Sequence, residues 1–143
     1  MTVVKYTKLH PNAITPTKGT ERAAAYDLYA IEDAYIPIGE TVMVGTGLAL
    51  EIPEGWKGEI YSRSGLASQG IVVANSPGKI DSDYRGEIKV IIRNSRNTEL
   101  VGIKIGDRIA QFEINPVHSI EFEESENLDF TTRGGQGFGS TGK

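Results

Sequence analysis

Glu87-Ile88-Lys89-Val90-Ile91-Ile92-Arg93-Asn94 is the stretch whose period decides the fold. Ile88, Val90 and Ile92 alternate with Lys89, Ile91 and Arg93, and a period of two is that of a strand with one face in the core. The pattern recurs outward in both directions. Toward the N-terminus come Val72 with Val73, Ile60, the Leu48, Leu50 and Ile52 series, Val42 with Val44, Tyr26 with Leu28 and Ala30, and Val4 with Tyr6 and Leu9. Toward the C-terminus come Ala110, Phe112 and Ile114, then Ile120 and Phe122. Pro37-Ile38-Gly39, Pro53-Glu54-Gly55 and Pro77-Gly78 fall between these segments and suit turns. No window sustains an apolar i, i+3, i+4, i+7 stripe, apart from a short helix expected within Ser64 to Gln69. The expectation is an all-β barrel or sandwich.

The chain has 143 residues, 17 of them Gly and none Cys, with a formal charge of -4. This is the length of one domain, able to bury roughly 70% of the surface of its unfolded chain without disulfides or a structural metal. The lack of Cys excludes thiol catalysis, Cys-type zinc sites and iron–sulfur clusters. The acidic balance argues against nucleic-acid binding through a basic face, while a few local cations could still hold a small anion. No apolar run is long enough for a membrane span, and Met1-Thr2-Val3-Val4-Lys5-Tyr6 lacks the apolar core of a signal peptide. A cytoplasmic protein is expected. Residues 1–132 read as one β domain and residues 133–143 as a Gly-rich arm. Such an arm is either a frayed end or a strap over a ligand, with Arg133 on an anion and Phe138 stacked on a ring.

Formal matches to nucleotide motifs fail on context. Gly137-Phe138-Gly139-Ser140-Thr141-Gly142 resembles G-x-G-x-x-G but opens no helix, and Gly78-Lys79 lacks the rest of a P-loop. His10 and His118 share no ligand spacing and read as surface residues. Three loops remain. Arg63-Ser64-Gly65-Leu66-Ala67 combines a multidentate cation, a hydroxyl and bare backbone, the parts of a phosphate cradle, or else is an ordinary helix start beside a surface Arg. Asn75 to Gly86 carries Asp81 and Asp83, which share a face if the segment is extended, next to Tyr84. One carboxylate can act as general base while the ring packs against a sugar, or the loop is a polar hairpin with a local Asp–Arg contact. In Gly106-Asp107-Arg108-Ile109-Ala110-Gln111, Gln111 can donate to a phosphate, whereas Asp107 and Arg108 read as a turn residue and its ion-pair partner.

Together with Ala24-Ala25-Tyr26-Asp27-Leu28-Tyr29 and the arm from Arg133 to Gly142, these segments resemble the five ordered motifs of the homotrimeric dUTP diphosphatase (dUTPase) family. The resemblance implies a trimer of jelly-roll-like subunits whose shared active sites are closed by C-terminal arms. It implies hydrolysis of dUTP to dUMP and pyrophosphate, which limits uracil incorporation into DNA and supplies dUMP for thymidylate synthesis. Mg2+ would be held mainly by the substrate phosphates, with Asp27 reaching it through water. Asp81 is the implied catalytic residue and Tyr84 the ring under the deoxyribose. Asn75 and the Ile80 backbone would read uracil; Arg63, Ser64, Gly65 and Gln111 would hold phosphates; Arg133, Phe138 and Gly139 would close the site. Lys79 and Lys89 complete the expected substrate-binding set. Ser62 stands where many relatives have Pro, which is expected to loosen the turn before Arg63. Competing expectations are a dUTP-sensing regulatory module and a dCTP deaminase relative.

Overall fold

A computed structural model describes residues 1–140 and 142; Thr141 and Lys143 of the expected arm lie outside the described residues. The elements in chain order are β1 (Lys5–Lys8), β2 (Tyr26–Tyr29), β3 (Ala34–Ile36), β4 (Thr41–Glu51), β5 (Trp56–Tyr61), α1 (Ser64–Ala67), β6 (Ile71–Val73), β7 (Gly78–Ile80), β8 (Glu87–Asn94), β9 (Val101–Ile103) and β10 (Arg108–Pro116). Two four-stranded sheets, ordered β1-β4-β8-β6 and β2-β10-β5-β7, enclose the core, and β3 pairs with β9 at one end. All pairings are antiparallel, and most join strands distant in sequence, as in a jelly roll. The all-β expectation is met.

The opening stretch is β8, and its alternation is realised. Ile88, Val90 and Ile92 are buried, and Lys89 and Arg93 are exposed. Each such side chain taken from water stabilises the fold by about 1.5–3 kcal/mol. The inward row ends on a polar residue, Asn94, which is fully buried. Its Nδ2 donates to the carbonyls of Ile36 (3.0 Å) and Glu99 (2.9 Å), and its Oδ1 accepts the Arg96 N–H (3.0 Å). The buried amide therefore replaces the water it lost.

Strand β4 departs from alternation. Val44 to Leu48 are all buried, and the pairing with β8 shifts between Gly45 and Ala49. Within the irregularity Thr46 Oγ1 donates to the Ile88 carbonyl at 2.6 Å, satisfying the buried hydroxyl. Gly47 takes φ +68°, and a Cβ there would lie 2.9 Å from that of Ala13, so both its conformation and its space require glycine.

In the second sheet Ile60 and Phe112 face the core, and the Phe112 ring covers Gly58, where a Cβ would approach it to 2.7 Å. The outward row is polar: Tyr61, Glu59 and Lys57 on β5 stand opposite Gln111, Glu113 and Asn115 on β10. The strand expected around Ile120 and Phe122 is not formed. The last tie of the chain to the sheets is the Val117 N–H to the Gly55 carbonyl at 2.8 Å. Beyond it, Ile120, Phe122, Leu128 and Phe130 are 72–93% exposed.

Candidate active site

Strands β2, β10 and β5 lie side by side and bring Asp27 opposite Gln111 and Gln111 opposite Tyr61. Arg63 follows β5 by two residues and returns over this row. Its Nε lies 3.5 Å from Asp27 Oδ1, and an Nη of Arg108 lies 3.9 Å from Asp27 Oδ2. Arg63 also donates from Nη1 to the Arg108 carbonyl at 3.1 Å. Asp27 Oδ1 and Arg63 Nε are buried and hydrogen-bonded to nothing among the described residues. The two atoms face each other as an ion pair without a hydrogen bond, which makes this carboxylate between two guanidinium groups a candidate ligand-binding group. The expected partnership of Asp107 with Arg108 is corrected: Asp107 Oδ2 accepts the Lys104 N–H at 2.8 Å and closes the turn, which leaves Arg108 free to reach Asp27. Arg63, Gly106, Asp107 and Arg108 line a cleft of about 580 Å3. Ser64 and Gly65, at the start of α1, are exposed beside Arg63.

Ser62 does not loosen this turn. Its N–H donates to Ser76 Oγ at 3.2 Å, and its Oγ accepts the Val73 N–H at 2.9 Å, so it laces the loop after β5 to the end of β6 and to the loop before β7. A proline there would lack both of these bonds, having neither the N–H nor the hydroxyl.

Strand β7 pairs only with β5 in the sheet order and delivers Asp81 one residue beyond its end. Asn75, expected to read a base edge, lies against Gly78, where a Cβ would come within 3.1 Å of its Nδ2. The segment after β7 is not extended as the sequence allowed. The Tyr84 N–H donates to the Asp81 carbonyl at 3.2 Å, closing a turn that removes Asp81 and Asp83 from a common strand face. The Tyr84 hydroxyl donates to the Glu87 carbonyl at 2.9 Å, and its ring folds over Gly86, where any Cβ would collide with it. Arg85 donates to the Ser82 and Tyr84 carbonyls, so the local Asp–Arg contact is absent among the described residues. Asp81, Ser82, Asp83 and Arg85 line a second cleft, of about 790 Å3, together with Trp56 and Lys57. The cation cluster and the Asp81 turn thus line separate clefts of one chain.

Lys79 and Lys89 are not brought to either group of ligand residues. Lys89 is exposed on β8 opposite Gly45, in the other sheet. The Lys79 ammonium lies 2.6 Å from Glu59 Oε2. Glu59, which sequence reasoning missed, is buried on the outward face of its sheet. It also accepts from the Tyr61 hydroxyl at 3.0 Å and from Asn115 Nδ2 at 3.0 Å, with Lys57 Nζ 3.6 Å away. The Lys79 hydrogen bond is the main reason the Glu59 carboxyl is lowered to about 2; burial opposes it and the Tyr61 and Asn115 bonds add to it. Correspondingly, the bond to Glu59 raises the Lys79 ammonium and the Tyr61 phenol. The only available sequence signal was opposite charge at positions that become neighbours once β5 and β7 pair.

In the arm, Arg133 Nε donates to the Gln136 carbonyl at 2.8 Å, and Phe138 is fully exposed with φ +53°. Gly139 follows at φ +86°. Among the described residues no three acidic or imidazole side chains are grouped to hold a metal. No helix of the described residues is long and apolar enough to cross a membrane.

A family model described as dUTPase matches residues 11–142. The deoxyuridine 5'-triphosphate nucleotidohydrolase of Nautilia profundicola is 52% identical over 98% of this chain and 99% of its own length. That of Wolinella succinogenes is 49% identical over 98% and 94%. Among solved structures, the dUTPase of Staphylococcus bacteriophage 80alpha with dUpNHpp superposes with a TM-score of 0.92 at 27% identity, covering all of both chains. A dUTPase variant from phage phi11 of S. aureus, described as revealing the coordination of a structural Mg(II) ion, matches with a TM-score of 0.81 at 26% identity over 90% of this chain and all of its own.

Proposed function

The chain belongs to the dUTPase family and is a dUTP diphosphatase, and from that premise we propose how its own residues carry out the hydrolysis. The observation that carries the proposal is the buried Asp27 carboxylate with one open oxygen between Arg63 and Arg108. Phosphoryl transfer requires positioning and charge stabilisation more than a covalent nucleophile, and this cluster supplies both. Arg63, Ser64, Gly65 and Gln111 hold the triphosphate. Asn75 and the Ile80 backbone read uracil, and Tyr84, seated on Gly86, takes the deoxyribose and leaves no room for a 2'-hydroxyl. The exposed Asp81 carboxylate accepts a proton from the attacking water as its oxygen bonds to phosphorus. The anhydride bond between the α and β phosphoryl groups breaks, and its electron pair leaves with pyrophosphate.

The donor set suits Mg2+ bound mainly through substrate oxygens: the Asp27 carboxylate has acceptor capacity that no hydrogen bond takes up, and would meet a metal-bound water once Arg63 turns to the phosphates. When bound, the ion supplies neutralisation of phosphate charge. Sites shared in a homotrimer are supported by the separation of the Arg63 and Asp81 clefts and by the uncovered Ile120, Phe122, Leu128 and Phe130. Residues 1–132 then form the body and residues 133–143 the arm, which brings Arg133, Phe138 and Gly139 to a site. A cytoplasmic setting completes the proposal; a cysteine-free sequence suits a reducing compartment.

The test is pyrophosphate release from dUTP, UTP and dCTP, with scattering mass measured in parallel. Turnover of dUTP alone is expected, from a particle near three chain masses. Asp81→Asn should retain dUpNHpp binding and lose turnover by about 100-fold or more, and deletion of residues 133–143 should impair turnover far more than folding. Undiminished turnover in either variant removes the corresponding assignment.

A further inference from the structure

Lys79 sits at the centre of β7, a three-residue edge strand held only by β5. In the ladder Ile80 stands opposite Gly58 and Lys79 opposite Glu59, and Asp81 is the first residue past it. Backbone bonds therefore secure the strand up to Ile80, while Asp81 enters a turn. The side-chain tie that joins the end of β7 to its neighbouring strand is the 2.6 Å contact of the Lys79 ammonium with Glu59. Glu59 is itself immobilised: Tyr61 and Asn115 bond its carboxylate, so the anchor spans β5 and β10. Lys79 can thus hold the departing chain against the two central strands of the sheet.

We infer that Lys79, anchored on Glu59, is a positioning residue that fixes where the turn after β7 presents Asp81, and is not a phosphate ligand. Half of its side chain is exposed, so solvent screens the ion pair and its contribution to global stability is small. Its effect falls on geometry. Displacing a reacting group by about 1 Å can cost on the order of 100-fold in rate. The β5–β7 ladder that sets the Ile80 backbone persists without Lys79, so nucleotide affinity is retained while the chemical step suffers.

The inference rests on the assignment of Asp81, and the experiment separates the two. Wild type and Asp81→Asn establish whether Asp81 carries turnover; equal turnover there overturns that assignment and leaves the question of Lys79 to dUpNHpp affinity alone, which a phosphate ligand would lower in Lys79→Met. With Asp81 established, Lys79→Met is expected to lower kcat roughly tenfold or more while dUpNHpp affinity stays within about twofold. Glu59→Gln should do the same, the double variant should be no worse than the weaker single, and Lys79→Arg should recover most of the turnover. Loss of dUpNHpp affinity in Lys79→Met with Glu59→Gln unaffected would identify a phosphate ligand and overturn the inference, as would additive losses or unchanged kcat. If Lys79→Met fails to fold, Glu59→Asp, which keeps the charge but withdraws it from Lys79, provides the same comparison, and unchanged kcat in it is equally fatal.

Discussion

Replacing Asn94 with Ala should be among the most destabilising single changes available in this chain. The side chain is fully buried and makes three hydrogen bonds, two as donor to the Ile36 and Glu99 carbonyls and one as acceptor from the Arg96 N–H. Each bond contributes about 1 kcal/mol net, and a buried partner left unsatisfied costs about 1–3 kcal/mol. Ile36 is itself fully buried, so water cannot replace the amide at its carbonyl without opening the structure. Glu99 and Arg96 are nearer the surface and recover part of their loss. The sum is about 3–4 kcal/mol. With a urea slope of about 2 kcal/mol per molar, that shifts the unfolding midpoint down by about 1.5–2 M. The assay is urea unfolding followed by tryptophan fluorescence of Trp56, with Asn94→Asp alongside. Asp keeps an acceptor for Arg96 but loses both donors and buries a charge, so it should fare no better. A midpoint shift below about 0.5 M for Ala would show that the carbonyls find other partners cheaply and would refute the reasoning.

Two further outcomes follow from groups near the site. The Glu59 carboxyl is lowered in the folded protein from 4.5 to about 2, so its contribution to stability is complete above pH 4.5 and is lost as pH falls toward 2; urea midpoints across that window should fall less steeply in Glu59→Gln than in wild type, and parallel acid limbs would contradict the assignment. Gly86→Ala should push the Tyr84 ring off its seat and narrow the preference for dUTP over UTP by about tenfold, read as the ratio of kcat/KM values; an unchanged ratio would remove Tyr84 from sugar selection.

The alternation in Glu87–Asn94 was legible because one face of β8 is buried and the other is not, and period-two patterns report that contrast directly. Val44 to Leu48 were less so: a register shift buries consecutive residues and erases the period. Ile120 and Phe122 carry the pattern without the strand, since alternation states that a segment can pair and not that it does. At the site, Arg63 and Gln111 could be singled out by residue type and Asp27 only through the family resemblance, but their assembly depends on three strands distant in sequence. Arg108 was assigned to its sequence neighbour and belongs to Asp27, 81 positions away in a chain whose fold alone brings them within 3.9 Å. Glu59 escaped notice because an isolated acidic residue in a strand reads as surface until its cross-strand neighbours are known.

The pairing of Lys79 with Glu59 also bears on how the molecule reaches its fold. A three-residue edge strand has little backbone to specify its alignment, and sliding β7 by one position along β5 would turn Lys79 inward, toward Ile60 and Phe112. An ammonium forced into that apolar layer is strongly disfavoured, and Glu59 would at the same time lose its closest cation. Misaligned pairings of β7 with β5 are therefore rejected by charge rather than by shape, and a chain with an apolar residue at position 79 would have to rely on its loops to make the same distinction.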